Sequence, residues 1–278
     1  MRQSLIAPRV RGFTLVELAV VLTIVAFLLA SLMYTFSAQV DQRNIEETRR
    51  RLEQARELVL SYAQINGRLP CPARSVNTAA PVTVTGDEVR DAAGNCVGDA
   101  VTDYYGGTNL GLLPARTIGM SQIDPAGFAL DAWGNRIRYA VSNLITACSG
   151  TSTTPHFTNA LNLKANGITC QPNDLLICKS ATGITATACG GATNQIMSQS
   201  LVVAIVYSTG KNSISAQDAA TANSLGRTDE AANLNGDRVF VFHPPTPSDS
   251  ANGEFDDHFT WITVGELYGR LIAAGMLP

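Results

Sequence analysis

Glu17 is the only charged residue between Phe13 and Phe36, in a run that is otherwise almost wholly apolar. A carboxylate inside a membrane helix is unfavourable by on the order of 2.5–3.5 kcal/mol at the bilayer centre, so it calls for a cationic partner. Its chemistry is charge pairing. Cys71, Cys96, Cys148, Cys170, Cys178 and Cys189 form an even set with no C-x-x-C pair, and His156, His243 and His258 are the only histidines. Zinc-finger spacing is therefore missing, and the cysteines are expected to be disulfide-bonded in an oxidising compartment, with every pairing left open. Gly210-Lys211-Asn212-Ser213 fails as a phosphate loop: the first glycine is missing and Asn follows the lysine. Glu254, Asp256 and Asp257, with Asp249 nearby, form the best acidic cluster. Oxygen-rich loops can bind calcium, but the spacing matches no EF-hand, and the expectation is a solvated acidic turn with no metal and no cofactor. No nucleophile–base pair is assembled, so catalysis is not expected.

These residues need elements to hold them. Residues 1–12 are short and basic, with Arg2, Arg9 and Arg11. The apolar run 13–36 spans ~36 Å as a helix, enough for a hydrocarbon core of roughly 30 Å. It is too long for the apolar core of a secretory signal, and its plausible processing point lies before it. The arginines at its front are expected to stay cytoplasmic.

Gly12-Phe13-Thr14-Leu15-Val16-Glu17 resembles the type III signal of type IV prepilins and type II secretion pseudopilins. That pattern is a basic leader ending in Gly, then Phe, then Glu at the fifth mature position, then an apolar helix. The resemblance implies cleavage by prepilin peptidase between Gly12 and Phe13, and N-methylation of Phe13. It also implies that Glu17 meets the Phe13 amine of a neighbouring subunit in a filament core, which would compensate both charges.

Between Phe13 and Asn66 there is neither proline nor glycine, so the helix is expected to continue over 14–66. Ile45, Leu52, Ala55, Val59 and Tyr62 make an apolar stripe on its charged second half. Glu46–Arg50 and Glu47–Arg51 are expected i,i+4 pairs. Gly67, with Pro70 and Pro72 beyond it, ends the helix. Residues 67–125 read as loops with short strands, including Val82–Thr85. Gly67-Arg68-Leu69-Pro70-Cys71-Pro72 resembles the segment after the spine helix in some large pilin-like proteins. Asp131-Ala132-Trp133-Gly134-Asn135, running into Arg136–Val141, resembles the D-P-W-G-N turn of pseudopilins, with Ala132 in place of the usual proline. Trp133 is expected to be buried beneath that turn. Residues 143–200 read as a disulfide-pinned elaboration with a strand over Asp174–Cys178. Strands are expected at Leu201–Tyr207, Arg238–Phe242 (stopped by His243-Pro244-Pro245) and Thr260–Val264, then a helix over Glu266–Ala274.

The chain has 278 residues and a formal net charge of −3. Without residues 1–12 it carries 17 bases against 23 acids, which disfavours a nucleic-acid partner. The expected fold is α+β. A long N-terminal helix, half membrane-spanning and half amphipathic, packs on an antiparallel sheet, with a loop-rich disulfide-bearing region. The expected divisions are a leader (1–12), a transmembrane or filament-core helix (13–36), an amphipathic spine (37–66) and a periplasmic or extracellular head (67–278). The resemblance implies a structural subunit: a minor pilin, or a pseudopilin of type II secretion. Its partners would be prepilin peptidase, other subunits and an inner-membrane assembly platform. It would sit in the inner membrane as a single-pass protein with its head in the periplasm, then in a pilus or pseudopilus. The alternative is a pilus-displayed binding module, an adhesin or DNA-uptake subunit. A tethered enzyme would require a cleft of converged titratable groups.

Overall fold

The computed structural model describes residues 12, 14–74, 85–91, 94–96, 104–105, 111–143, 155–215 and 218–277, with the side chains of 31–38 excepted. Phe13, Cys148 and most of Val82–Thr85 lie outside these residues. Two compact units meet within the first helix, one ending at Glu46 and the other beginning at Glu47.

Helix α1 (Leu15–Asn66) is one unbroken element, as the absence of proline and glycine dictates. In the first unit, the described side chains of 14–30 are all exposed, Leu15 at 86% and Phe27 at 76% among them. Among the described residues no helix is long and apolar enough to cross a membrane. The described side chains of the apolar run stop at residue 30, short of the expected 13–36 segment.

In the second unit, α1 buries Thr48, Leu52, Ala55, Val59, Leu60 and Ala63, one stripe at helical spacing, while Tyr62 stays half-buried. Glu47 accepts from Arg51 Nε at 2.9 Å and also bonds Arg50. The expected Glu46–Arg50 pair is not formed, because Gln42 Nε2 donates to Glu46 at 2.9 Å and Arg50 reaches the nearer Glu47. Gly67 ends the helix at φ +66°, a conformation that side chains with a Cβ rarely adopt.

The stripe packs on an antiparallel sheet of β1 (Arg138–Val141), β4 (Val202–Ser208) and β6 (His258–Thr263), in the order β1-β4-β6. β4 is central and every residue of it is buried, which suits its run of β-branched and apolar side chains. Its Val206 pairs with Tyr139 on one side and with Thr260 on the other. Helix α5 (Val264–Ala273) follows β6, with Thr263 accepting at its N-cap from Glu266 N. Arg56 of α1 donates to Trp261 O and pairs with Glu266, tying α1 to that cap.

A second sheet differs from expectation. It contains β2 (Leu176–Cys178), β3 (Gln195–Met197) and β5 (Val239–Val241) in the order β3-β2-β5. β5 does not join the antiparallel sheet. It runs parallel to β2, with Ile177 opposite Phe240. A parallel pair needs a crossover, and residues 179–238 supply it. They carry β4, α3 (Ala219–Ser224) and α4 (Thr228–Leu234). A short helix α2 (Ala160–Asn166), capped by Asn159, precedes β2. Disulfides join Cys71 to Cys96 and Cys178 to Cys189, and Cys170 is also disulfide-bonded. No described cysteine is free.

Candidate functional site

The N-terminal determinants sit at the start of α1. Thr14 precedes the helix, and its Oγ1 accepts from Glu17 N at 3.2 Å. Glu17 Oε2 accepts in return from Thr14 N and Thr14 Oγ1, both at 2.9 Å. This is a reciprocal capping box, in which two orphan donors of the first turn are satisfied at once. Gly12 is exposed, and a Cβ built there would meet nothing within 4 Å. Glu17 therefore has a local partner in the single chain, and its carboxylate remains on an exposed surface.

In the second unit, the turn before β1 is organised by Asp131, which is 2% exposed. Its Oδ1 accepts from Trp133 N at 2.9 Å and Asn135 N at 2.8 Å, and its Oδ2 from Ser208 Oγ at 2.6 Å. Thr48 of α1 accepts from Ala132 N, and Arg51 donates to Leu130 O and Asp131 O. The turn thus joins α1 to β4. Trp133 is half-buried, not fully buried as expected. Its ring stacks on His258 with centroids 5.8 Å apart, and its enclosed Nε1 has no partner.

The acidic cluster is assembled differently from the sequence expectation. Glu254 turns away to pair with Arg227 at 3.0 Å, and Asp249 is exposed. Glu230 of α4 takes the vacated place, and oxygens of Glu230, Asp256 and Asp257 lie within 4.8 Å of one another. Glu230 is 3% and Asp257 2% exposed, so this is a buried group and not a solvated turn. The rejected phosphate-loop segment wraps it: Lys211 N and Asn212 N donate to Asp256 Oδ2, and Asn212 Nδ2 to Glu230 Oε1. Gly210 is required here because a Cβ would fall 1.9 Å from Asp256 Oδ1. Asn233 Nδ2 donates to Asp257 at 2.7 Å. Nothing local in Thr228-Asp229-Glu230 marks Glu230 as part of this group, since the carboxylates it joins, Asp256 and Asp257, lie more than twenty residues away.

Burial, and then the repulsion of Asp256, raises Glu230 to about 7. Burial first, and then Glu254, raises Asp256 to about 6. Burial and Glu230 push Asp257 well above the usual range. The arrangement suits shared protons: amide donors engage Asp256 Oδ2, Glu230 Oε1 and Asp257 Oδ2, while the enclosed Asp256 Oδ1 has no hydrogen-bond partner. A carboxyl with a raised folded pKa stabilises the fold when protonated, and that stabilisation is lost as pH rises through about 7. His156 and His258, held down at about 4 chiefly by burial, act oppositely below their unfolded value. Comparing Glu230→Gln with wild type isolates the carboxyl. The stability of the variant relative to wild type is expected to rise between pH 4.5 and 7.5 by about 1 kcal/mol or more in denaturant titrations. A difference independent of pH would show that Glu230 ionises normally.

Residues 8–33 match the family model described as the prokaryotic N-terminal methylation motif. That motif is the signature of the type IV pilin and pseudopilin prepilin-type signal, and it supports a type IV pilin-like or pseudopilin protein. No curated protein and no solved structure matches the chain.

Proposed function

We propose that the chain is a structural subunit, a minor pilin or pseudopilin, matured by prepilin peptidase between Gly12 and Phe13 and methylated on Phe13. The observation that carries this reading is the methylation-motif match over residues 8–33, which contains the Gly12/Phe13 junction and Glu17. The chain then divides into a leader (1–12), a membrane or filament-core helix (13–36), a spine (37–66) and a head (67–278). The exposed apolar side chains of 15–30 agree with this, because a helical stretch whose described side chains are all exposed is suited to lipid or to neighbouring helices. The subunit would begin in the inner membrane with its head outside, then join a pilus or pseudopilus through other subunits and an assembly platform.

Co-expression of the full chain with an active prepilin peptidase is expected to remove residues 1–12 and leave a methylated Phe13 at the new N-terminus. Intact-mass measurement reads both changes. An unchanged mass beside a processed control substrate overturns the reading.

A further inference from the structure

The second unit contains a cavity of about 480 Å³ between α1, β6 and the segment after β5. Its walls include Arg49, Phe242, Pro244, Pro245, His258 and Phe259. We propose that this cavity is a binding site for a carboxylate carried on a flat apolar body of about the size of one amino acid.

The polar requirement comes from two side chains. Among the described residues no carboxylate pairs with Arg49, which is exposed and lines the cavity. His258 is only 5% exposed and also lines the cavity, and among the described residues nothing hydrogen-bonds its ring nitrogens, which are not enclosed by protein. The cavity is where a partner for this ring can lie. Burial, with the nearby Arg49 charge, holds His258 down at about 4, so its ring is neutral at pH 7 and offers one donor and one acceptor. A guanidinium beside a neutral N–H donor fits a carboxylate, which accepts on both oxygens.

The apolar requirement comes from the rings. Phe242 and Phe259 stand with centroids 5.7 Å apart, next to two prolines. Such a wall favours a flat apolar body, and the volume lies within the usual range for ligand sites. Two acids also line the cavity, and among the described residues neither forms an ion pair with Arg49. Glu53 accepts from Thr260 Oγ1 at 3.0 Å and lies 4.0 Å from Arg56, while burial keeps Asp257 toward its neutral form.

Both tryptophans report on the walls: Trp133 stacks on His258, and Trp261 meets Phe242 edge-on at 5.7 Å. The test is tryptophan fluorescence of the full chain in uncharged detergent, titrated with N-acetyl-phenylalanine and with its neutral amide. The acid is expected to give a saturable change, with the amide weaker by about tenfold, as for loss of a charge-assisted pair. Arg49→Gln should weaken the acid by a similar factor and leave the amide unchanged. His258→Phe, which keeps an aromatic ring against Trp133, should also weaken the acid. Equal binding of acid and amide, wild-type titration by folded Arg49→Gln, or no saturable response to millimolar acid overturns the proposal.

Discussion

Glu17→Val is expected to insert and be cleaved like wild type, but to enter filaments about tenfold less or worse, because it removes the only charge available to a neighbour's amine in an apolar core. Fractionation of sheared filaments against membranes measures this. The structure adds a complication, because Glu17 also closes the capping box with Thr14. A valine at this position loses both the charge and the cap. Glu17→Gln separates them, since glutamine can still reach back to Thr14 N in a capping box but carries no charge. If charge pairing drives assembly, both variants fail in filaments. If glutamine assembles like wild type, the residue acts through helix capping, and the charge-pairing account is wrong.

Glu88→Ala is expected to destabilise the head by about 3–5 kcal/mol, the range for removing one partner from a buried ionic network. The carboxylate side chain is 14% exposed and collects five donors. Arg68 reaches it twice, at 3.0 and 2.8 Å, Tyr62 OH lies at 2.7 Å, Cys71 N at 2.9 Å and Arg90 Nε at 2.9 Å. These tie α1 to the segment beyond it and to the Cys71–Cys96 bridge. Burial opposes ionisation of Glu88, but the Arg68 and Cys71 N–H bonds, Tyr62 and Arg90 outweigh it and bring the group down to about 2. Its folded pKa is depressed, so the stabilisation is full above the unfolded value and lost as pH falls toward 2. Chemical denaturation between pH 2 and 7 should therefore show a steep acid loss in wild type that is flattened in Glu88→Gln. A cost below about 1 kcal/mol for Glu88→Ala at pH 7 would place this network with ordinary surface pairs.

Glu88 also shows where sequence reading stops. Nothing about Gly86-Asp87-Glu88-Val89-Arg90 marks its acid as a hub, because apart from Arg90 its donors (Tyr62, Arg68 and Cys71) come from a helix and a loop up to 26 residues away. Glu230 escaped for the same reason. Features written in local pattern were legible. The unbroken α1 followed from the absence of helix breakers. β4 followed from Leu201–Tyr207, differing by one residue at each end. The Asp131 turn followed from its motif, although the half-exposed Trp133 did not. β5 was legible as a strand but not in its pairing, since periodicity carries no information about which sheet a short strand joins. The methylation motif was legible in full because its chemistry is set by adjacent residues.

The central position of β4 has a kinetic consequence. Val206 finds Tyr139 among residues made earlier, but its other neighbour is Thr260, near the end of the chain. During N-to-C emergence of the chain, one whole edge of Val-Val-Ala-Ile-Val-Tyr-Ser stays open until β6 arrives. An open edge of that composition is a template for pairing with other chains. Contacts of such long sequence separation also slow closure of the sheet. The period of greatest vulnerability to aggregation therefore falls between the appearance of residue 208 and that of residue 258, and anything that shortens or shields that interval should raise the yield of folded head.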